Sequence, residues 1–272
     1  MSVLNNPMAV FKLLPKTNCR ECGERTCLAF AAAVFKGNRD LAECPYLDKA
    51  VIEQHSGRGN KSPNIDQSMD EAVRVLQERV KDVDLASVAE RLGGEYRNGR
   101  LTLRTLGKPF SIDDQGKMHA DIHIHGWIAI PMLRYVLESK GEPLTGRWVP
   151  LRELKGGQDW YRLFEQRGEK AIKHLADSYS ELFEDMTILF NGQETTDEFN
   201  ADIAVVLYPL PKVPMMICYW KPDEGMASSL NVFFDASAPD NLPIDALYSL
   251  VAGFVRMLEK ISHRHGIRSA TG

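Results

Sequence analysis

Apolar and polar positions follow two different patterns along this chain of 272 residues. Residues 1–55 carry short apolar runs broken by turn residues. Asn6-Pro7 opens a helix expected over Met8–Leu14, and Pro15 stops it, since proline lacks the N–H that a helix interior needs. An Ala-rich run, CLAFAAAVFK, predicts a helix from Cys27 to Lys36, closed by Gly37 in the C′ position. Cys44-Pro45 is expected to open a last short helix to about His55. Ser56–Asn64, SGRGNKSPN, has the Gly/Ser/Pro/Asn composition of a linker. The expected organisation is a helical module over 1–55, a linker over 56–66 and a larger domain over 67–272.

In that larger region the period changes repeatedly. Ala72, Val73, Leu76 and Val80 recur at helical spacing, which predicts a helix ending near Val80. A second is expected over Leu85–Leu92, with Asp84 as N-cap and Gly93-Gly94 as stop. Asn98-Gly99 before LTLRTL, and Asp113-Asp114-Gln115-Gly116 before KMHADIHIH, predict hairpins. A helix around Trp127–Ser139 and a long helical region from about Gln158 to Phe190 follow. Strands are expected over Asp202–Tyr208, Met215–Trp220 and Leu230–Asp235, and Pro243 begins a closing helix over Ile244–His263. Helices and strands come in separate runs, so the fold class is α+β with a mainly antiparallel sheet.

Composition narrows the function. Hydrophobic content of 44% with 26% charged residues is that of a globular protein with a real core. No run approaches the roughly 18–20 apolar residues of a membrane helix. The N-terminal stretch lacks a basic region and a long apolar run, so no signal peptide is read and a cytoplasmic location is expected. Net charge is −4 with both signs interspersed, which argues against nucleic acid as a partner. Short basic patches around Arg97–Arg104 and His263–Arg268 read as solvated faces or helix ends.

Five cysteines change the picture, because four of them fall within residues 19–44. In a chain whose remainder is nearly cysteine-free, such a cluster argues for metal rather than for a disulfide framework. The spacing is C-x2-C-x4-C-x16-C from Cys19 through Cys22 and Cys27 to Cys44. An iron–sulfur cubane needs four converging thiolates: a tight loop supplies three, and the Ala-rich helix returns the chain for the fourth. Gly23 lets the loop backbone approach without a Cβ. A structural zinc is the rival, but zinc ribbons pair two CxxC knuckles and this chain has one.

The segment LLPKTNCRECGERTCLAFAAAVFKGNRDLAECPYL resembles the small cluster-binding domain of the corrinoid iron–sulfur protein of the acetyl-CoA pathway. It is similar also to the cluster domain of the B subunit of Rnf-type electron-transport complexes. The shared features are the LPKTNC lead-in, C-x2-C-G-x3-C, the LAFA helix and the closing ECPY. The resemblance covers about residues 10–50. It implies a low-potential 4Fe–4S cluster on Cys19, Cys22, Cys27 and Cys44 that passes single electrons. No corrinoid-binding segment is recognisable downstream. Residues 67–272 resemble a domain family of anaerobic prokaryotes with no assigned chemistry. The similarity lies in WVPLREL with its following Gly-Gly and Trp160-Tyr161, in PLPKVPMMICYW, and in NVFFDASAPDNLP.

Other residues carry weaker signals. His119, Asp121, His123 and His125 alternate along an expected strand, so all four would share one face as a second metal site. The plainer reading is a solvated strand face. Trp220–Glu224 and Asp235 read first as turn residues, and Cys218 as a small buried hydrophobe. Gly93-Gly94 and Gly156-Gly157 read as helix stops, and no phosphate-binding or nucleophile motif is present. The leading functional expectation is one-electron transfer from a ferredoxin-like donor to a redox partner, such as a corrinoid protein. A binding or sensor protein with a structural or reporting cluster is the alternative, and a metalloenzyme using the histidines a third. No catalytic motif is recognised.

Overall fold

The computed structural model describes residues 7–35, 39–55, 65–121, 124–179, 181–195, 199–223 and 225–264. Two compact units emerge, residues 1–71 and 72–272, with the division inside the helix Ile65–Val80.

The first unit contains helices α1 (Pro7–Leu13), α2 (Cys27–Phe35) and α3 (Lys49–His55), with a 3-10 turn at Leu41–Glu43. Pro7 occupies the first helical position, where its missing N–H costs nothing. Thr26 caps α2, its Oγ1 accepting the Ala29 N–H at 3.0 Å. Val10 and Leu14 bury against Phe30, Ala31 and Val34, with Leu41 and Leu47 completing the cluster. One expectation fails here. Cys44-Pro45 opens no helix: Cys44 is extended (φ −85°, ψ 111°) and closes the 3-10 turn instead. Proline disfavours helical geometry in the residue before it, so α3 starts after Asp48, whose carboxylate accepts the Ala50 N–H at 3.1 Å. Gly37 and the linker stretch 56–64 lie outside the described residues.

Helix α4 (Ile65–Val80) runs on into the second unit, which buries its Leu76 and Val80. There the chain continues through α5 (Leu85–Val88), a meander of β1 (Glu95–Arg97), β2 (Arg100–Thr105), β3 (Lys108–Asp113) and β4 (Met118–Ala120), and α6 (Gly126–Glu138). Asn98 and Gly99, at φ 51° and 74°, make the β1–β2 turn that their identities predict. Next come β5 (Trp148–Pro150), α7 (Gly157–Phe164), a π-helical stretch at Glu165–Glu169, α8 (Lys170–Ser178) and α9 (Leu182–Phe190). The expected long helical region is thus one run over residues 157–178, continuous through the π-helical stretch, and a second helix, α9. The chain ends in β6 (Gln193–Glu194), β7 (Ile203–Leu210), β8 (Val213–Trp220), β9 (Ser229–Asp235), α10 (Ala238–Asn241) and α11 (Ile244–Arg264). The second sheet runs β5-β9-β8-β7-β6, antiparallel throughout, so the fold is α+β.

Alternation along β7 and β8 sends Val205, Leu207, Met215 and Ile217 into the main core with α6 and α11. Ala204, Val206, Met216 and Cys218 join a smaller cluster on the opposite face, where Phe199 stacks on Phe233 at 4.2 Å. Fully burying a side chain such as Leu207 or Phe234 contributes ~2–3 kcal/mol relative to exposure.

Candidate functional site

Between α1 and α2 the backbone does something unusual. Lys16, Asn18 and Arg20 all take left-handed conformations (φ 62°, 52° and 68°), followed by Gly23 at 81°. Each such non-glycine residue costs on the order of 1 kcal/mol, so three in five residues need a compensating reason. A left-handed residue next to a right-handed helical one can turn successive N–H groups toward one side, which favours an anion. Cys19, Cys22 and Cys27 lie in or at the end of this loop.

Local hydrogen bonds hold the loop. Asn18 and Cys27 bond reciprocally: the Cys27 N–H donates to Asn18 Oδ1 at 2.8 Å, and the Asn18 N–H to Cys27 Sγ at 3.4 Å. Cys27 is the first residue of α2, and its own N–H and that of Ala29 are capped by Asn18 and Thr26. The Gly23 N–H closes a turn onto the Arg20 carbonyl at 3.0 Å. A Cβ on Gly23 would stand 3.0 Å from Nη2 of Arg39, so the guanidinium covers the space that glycine leaves open.

The fourth cysteine arrives on a second braced segment. Asp40 and Glu43 form a capping box, with the Asp40 N–H donating to Glu43 at 2.8 Å and the Ala42 N–H to Asp40 at 2.8 Å. Arg39 reaches Glu43 at 2.7 Å and Glu24 at 3.9 Å, and stands within electrostatic reach of Cys22. The Asp40 amide and then Arg39 hold the Glu43 carboxyl below the usual range. Tyr46 spans the two segments, its hydroxyl donating to Glu21 at 2.6 Å. That bond, with the carboxylate charge, pushes the phenol up, and Cys19 and Cys44 lie within electrostatic reach of it. Cys27 and Cys44 are buried, Cys22 is half-buried and Cys19 is exposed. Cys27 and Cys44 belong to the apolar cluster, Cys22 packs against it and Cys19 is exposed; four cysteines on these two braced segments suit an iron–sulfur cluster. Asn18, Glu21, Arg39 and Tyr46 are contributors that cysteine spacing does not point to. A signal existed only for Asn18, since Asn tolerates left-handed backbone.

The expected histidine strand is a second correction. β4 ends at Ala120, paired with Phe110. The next position on β3 is Pro109, which has no amide to continue the ladder. Asp121 therefore leaves the sheet at an exposed bend, and His125 is the N-cap of α6. His119 Nε2 lies 2.8 Å from Asp113 Oδ2, and Asp113 also accepts the Gln115 and Lys117 N–H groups at 3.0 and 2.9 Å. Burial pushes the Asp113 carboxyl up, but His119 and these amides outweigh it and leave it below the usual range. His119 thus braces a hairpin. His123 lies outside the described residues. Among the described residues, no group of three or more His, Cys, Asp or Glu side chains is placed to hold a single metal ion.

The remaining residues fall into structural roles. Asp223 and Met226 close a tight turn, with Glu224 outside the described residues, and Cys218 is fully buried. Gly93-Gly94 does stop a helical stretch, the Gly94 N–H bonding the Ala89 carbonyl at 2.8 Å. Gly156 does the opposite of what was expected, standing as N-cap of α7 in the left-handed region (φ 78°).

Two family models and several curated relatives match the chain in sequence. Residues 14–46 match the family model described as “Putative Fe-S cluster”, so the cysteine loop lies in an iron–sulfur segment. Residues 84–257 match the model “Domain of unknown function (DUF3786)”, and the chain belongs to that family. Over 46 residues the chain is 48% identical to the corrinoid/iron-sulfur protein large subunit of Moorella thermoacetica, covering 17% of this chain and 10% of the relative. It is 46% identical over 46 residues to the acetyl-CoA decarbonylase/synthase complex subunit gamma of Methanosarcina acetivorans, with the same coverage. The subunit gamma of Methanocaldococcus jannaschii is 23% identical over 169 residues, 61% of this chain and 32% of the relative. The chain thus spans a third or less of the length of these relatives. No solved structure matches it.

Proposed function

We propose that the first unit binds one 4Fe–4S cluster through Cys19, Cys22, Cys27 and Cys44, and that the protein transfers single electrons to a partner protein in anaerobic one-carbon metabolism. The observation that carries this reading is the loop itself. Cys19 and Cys22 sit among the left-handed residues Lys16, Asn18, Arg20 and Gly23, and Cys27 is tied back to Asn18, inside a segment that matches an iron–sulfur model. When bound, the cluster supplies one-electron chemistry at low potential. The chain's own residues set the conditions for it. Asn18 donates to the Cys27 sulfur, burial of Cys27 and Cys44 excludes water on one side, and exposed Cys19 leaves the other side open to a partner. A tetrahedral zinc with bonds of about 2.3 Å would draw its ligands into a tight knot, whereas a cubane holds thiolates at four separated corners.

The donor on this reading is a ferredoxin-like protein and the acceptor a corrinoid protein or a related subunit, in keeping with the names of the relatives. The reading places the protein in the cytoplasm. The test is iron and sulfide analysis of anaerobically purified protein, with an EPR-monitored redox titration of the same sample. About four irons and four sulfides per chain, with a reversible one-electron signal, are expected. Zinc in place of iron, or a cluster lost whenever it is reduced, would sink the electron-transfer reading.

A further inference from the structure

Two sequence segments with no part in the cysteine site, WVPLREL with its following glycines and NVFFDASAPDNLP, meet in the second unit around a cavity of about 600 Å³. We propose that this cavity binds a small molecule through an oxyanion, a phosphate or carboxylate group, held by Arg147 and Lys155. Its size falls within the range of small-molecule sites, roughly 300–1,000 Å³.

The charge balance of the lining favours an anion. Lys140, Arg147, Lys155, Glu153 and Asp240 all face the cavity. Lys140 Nζ lies 2.6 Å from Asp240 Oδ1, so those two neutralise each other. Among the described residues, neither Arg147 nor Lys155 has a carboxylate within ion-pair distance. Two cations therefore stand against Glu153 alone. A guanidinium presents a planar fork that matches two oxygens of a phosphate or carboxylate, and the Lys155 ammonium adds a point charge from another segment.

The walls are pre-formed at a cost that the core does not require. Residues 139–147 have no regular structure, yet buried polar groups fasten them along their length. Asp235, 1% exposed, accepts from the Thr145 N–H and hydroxyl at 3.0 Å each and from the Gly146 N–H at 2.7 Å. It also takes the Ser237 N–H and hydroxyl at 2.9 and 2.7 Å. Asn241, fully buried, donates to the carbonyls of Glu142 and Lys212 at 3.0 and 3.1 Å. The Ala236 N–H holds the Arg147 carbonyl at 2.9 Å. A buried carboxylate is expensive unless every oxygen is satisfied. Here that arrangement fixes an exposed loop, as a binding site needs and a hydrophobic core does not. Across the cavity, a Cβ on Gly157 would stand 1.7 Å from the Leu151 carbonyl. The corner carrying Lys155 is closed that tightly.

The test is isothermal titration of the full chain, prepared anaerobically, with sodium phosphate, pyrophosphate and succinate at constant ionic strength. Saturable binding of at least one probe is expected, and preference between the phosphates and succinate assigns the source of the oxyanion. Arg147→Gln and Lys155→Gln should each weaken binding by about tenfold, with the melting temperature of the free protein unchanged because both side chains are exposed. Glu153→Gln should tighten it a few-fold. Arg97→Gln, on exposed β1, should leave it alone. No saturable binding of any probe, full affinity in the Arg147→Gln/Lys155→Gln double variant, or an equal loss in Arg97→Gln would overturn the proposal.

Discussion

Among the described residues, the first unit buries nine apolar side chains, and two of them are Cys27 and Cys44. The second unit buries a core drawn from α4, α5, α6, α7, α8, α9, α11 and both sheets, and its one cysteine, Cys218, lies on the opposite face of β8. Units below about 70 residues rarely stabilise themselves by burial alone and rely on a covalent or metal staple. If the cysteines hold a cluster, the first unit draws its stability from the site that gives it function. In the second, the core stands without any cysteine ligand, and Asp235 at the end of β9 ties the 139–147 loop to it.

The sharpest way to break this contrast is to remove the staple. Cys27→Ser should abolish iron binding and leave residues 1–71 open to limited proteolysis, while the melting transition of the second unit stays where it was. A first unit that stays protease-resistant without iron would show that its apolar cluster suffices. Double replacement of Cys27 and Cys44 by alanine should behave in the same way.

Next in size is Asp235→Ala. Five hydrogen bonds converge on this carboxylate, three from the exposed Thr145–Gly146 loop and two from buried Ser237, whose donors would be stranded, so a loss of ~3 kcal/mol is expected in urea unfolding of the second unit. Iron content should not change. The wild-type carboxyl adds a pH dependence of known sign. Burial pushes it up, but Ser237 and Thr145 outweigh that and leave it below the usual range. Its contribution is therefore complete above the ordinary carboxylate range and lost as pH falls through the lowered folded value. Asp235→Ala should flatten stability over that acidic window.

What was legible in the sequence follows the same division. Local rules made the helices, the Asn98-Gly99 turn, the three long strands and the cysteine spacing readable, because each is set by residues close in the chain. Cys44-Pro45 was misread because proline at a helix start and proline forcing its predecessor extended look alike until the next cap, Asp48, is considered. The histidine alternation failed for a non-local reason: whether β4 continues past Ala120 depends on Pro109, eleven residues earlier and on another strand. Gly156 was misread by direction, since glycine in the left-handed region serves either helix end. The Asp235 hub was read as a turn cap; its reach to Thr145 and Gly146 was invisible, since it joins segments about ninety residues apart.

A smaller effect concerns Glu169, which ends the π-helical stretch and whose Oε1 accepts the Val232 N–H at 3.1 Å. Val232 lies on β9 just beyond Phe233, where Pro150 ends the pairing with β5. The carboxyl thus takes the place of a missing strand carbonyl. Burial pushes it up, with the Val232 amide only partly opposing. The folded state then holds its proton at pH values where the unfolded chain has lost it, so stability should fall as pH rises through the window above the ordinary carboxyl range. Glu169→Gln keeps the acceptor and should remove that slope. An unchanged slope in urea unfolding from pH 4.5 to 7.5 would assign it elsewhere.

The smallest effect returns to the first unit and asks whether its site is tuned as well as stapled. Arg39 covers Gly23, sits within electrostatic reach of Cys22, and is shared between Glu43 and Glu24. Reduction adds negative charge at the proposed cluster, and a nearby cation favours the reduced form. Arg39→Gln should therefore lower the midpoint potential. The shift should be small, because Arg39 is solvated and two carboxylates already oppose its charge. Arg39→Lys should restore most of it. Iron content separates tuning from assembly: a lower potential at full iron content assigns Arg39 an electrostatic role, whereas iron loss at unchanged potential assigns it to bracing the Asp40–Cys44 segment.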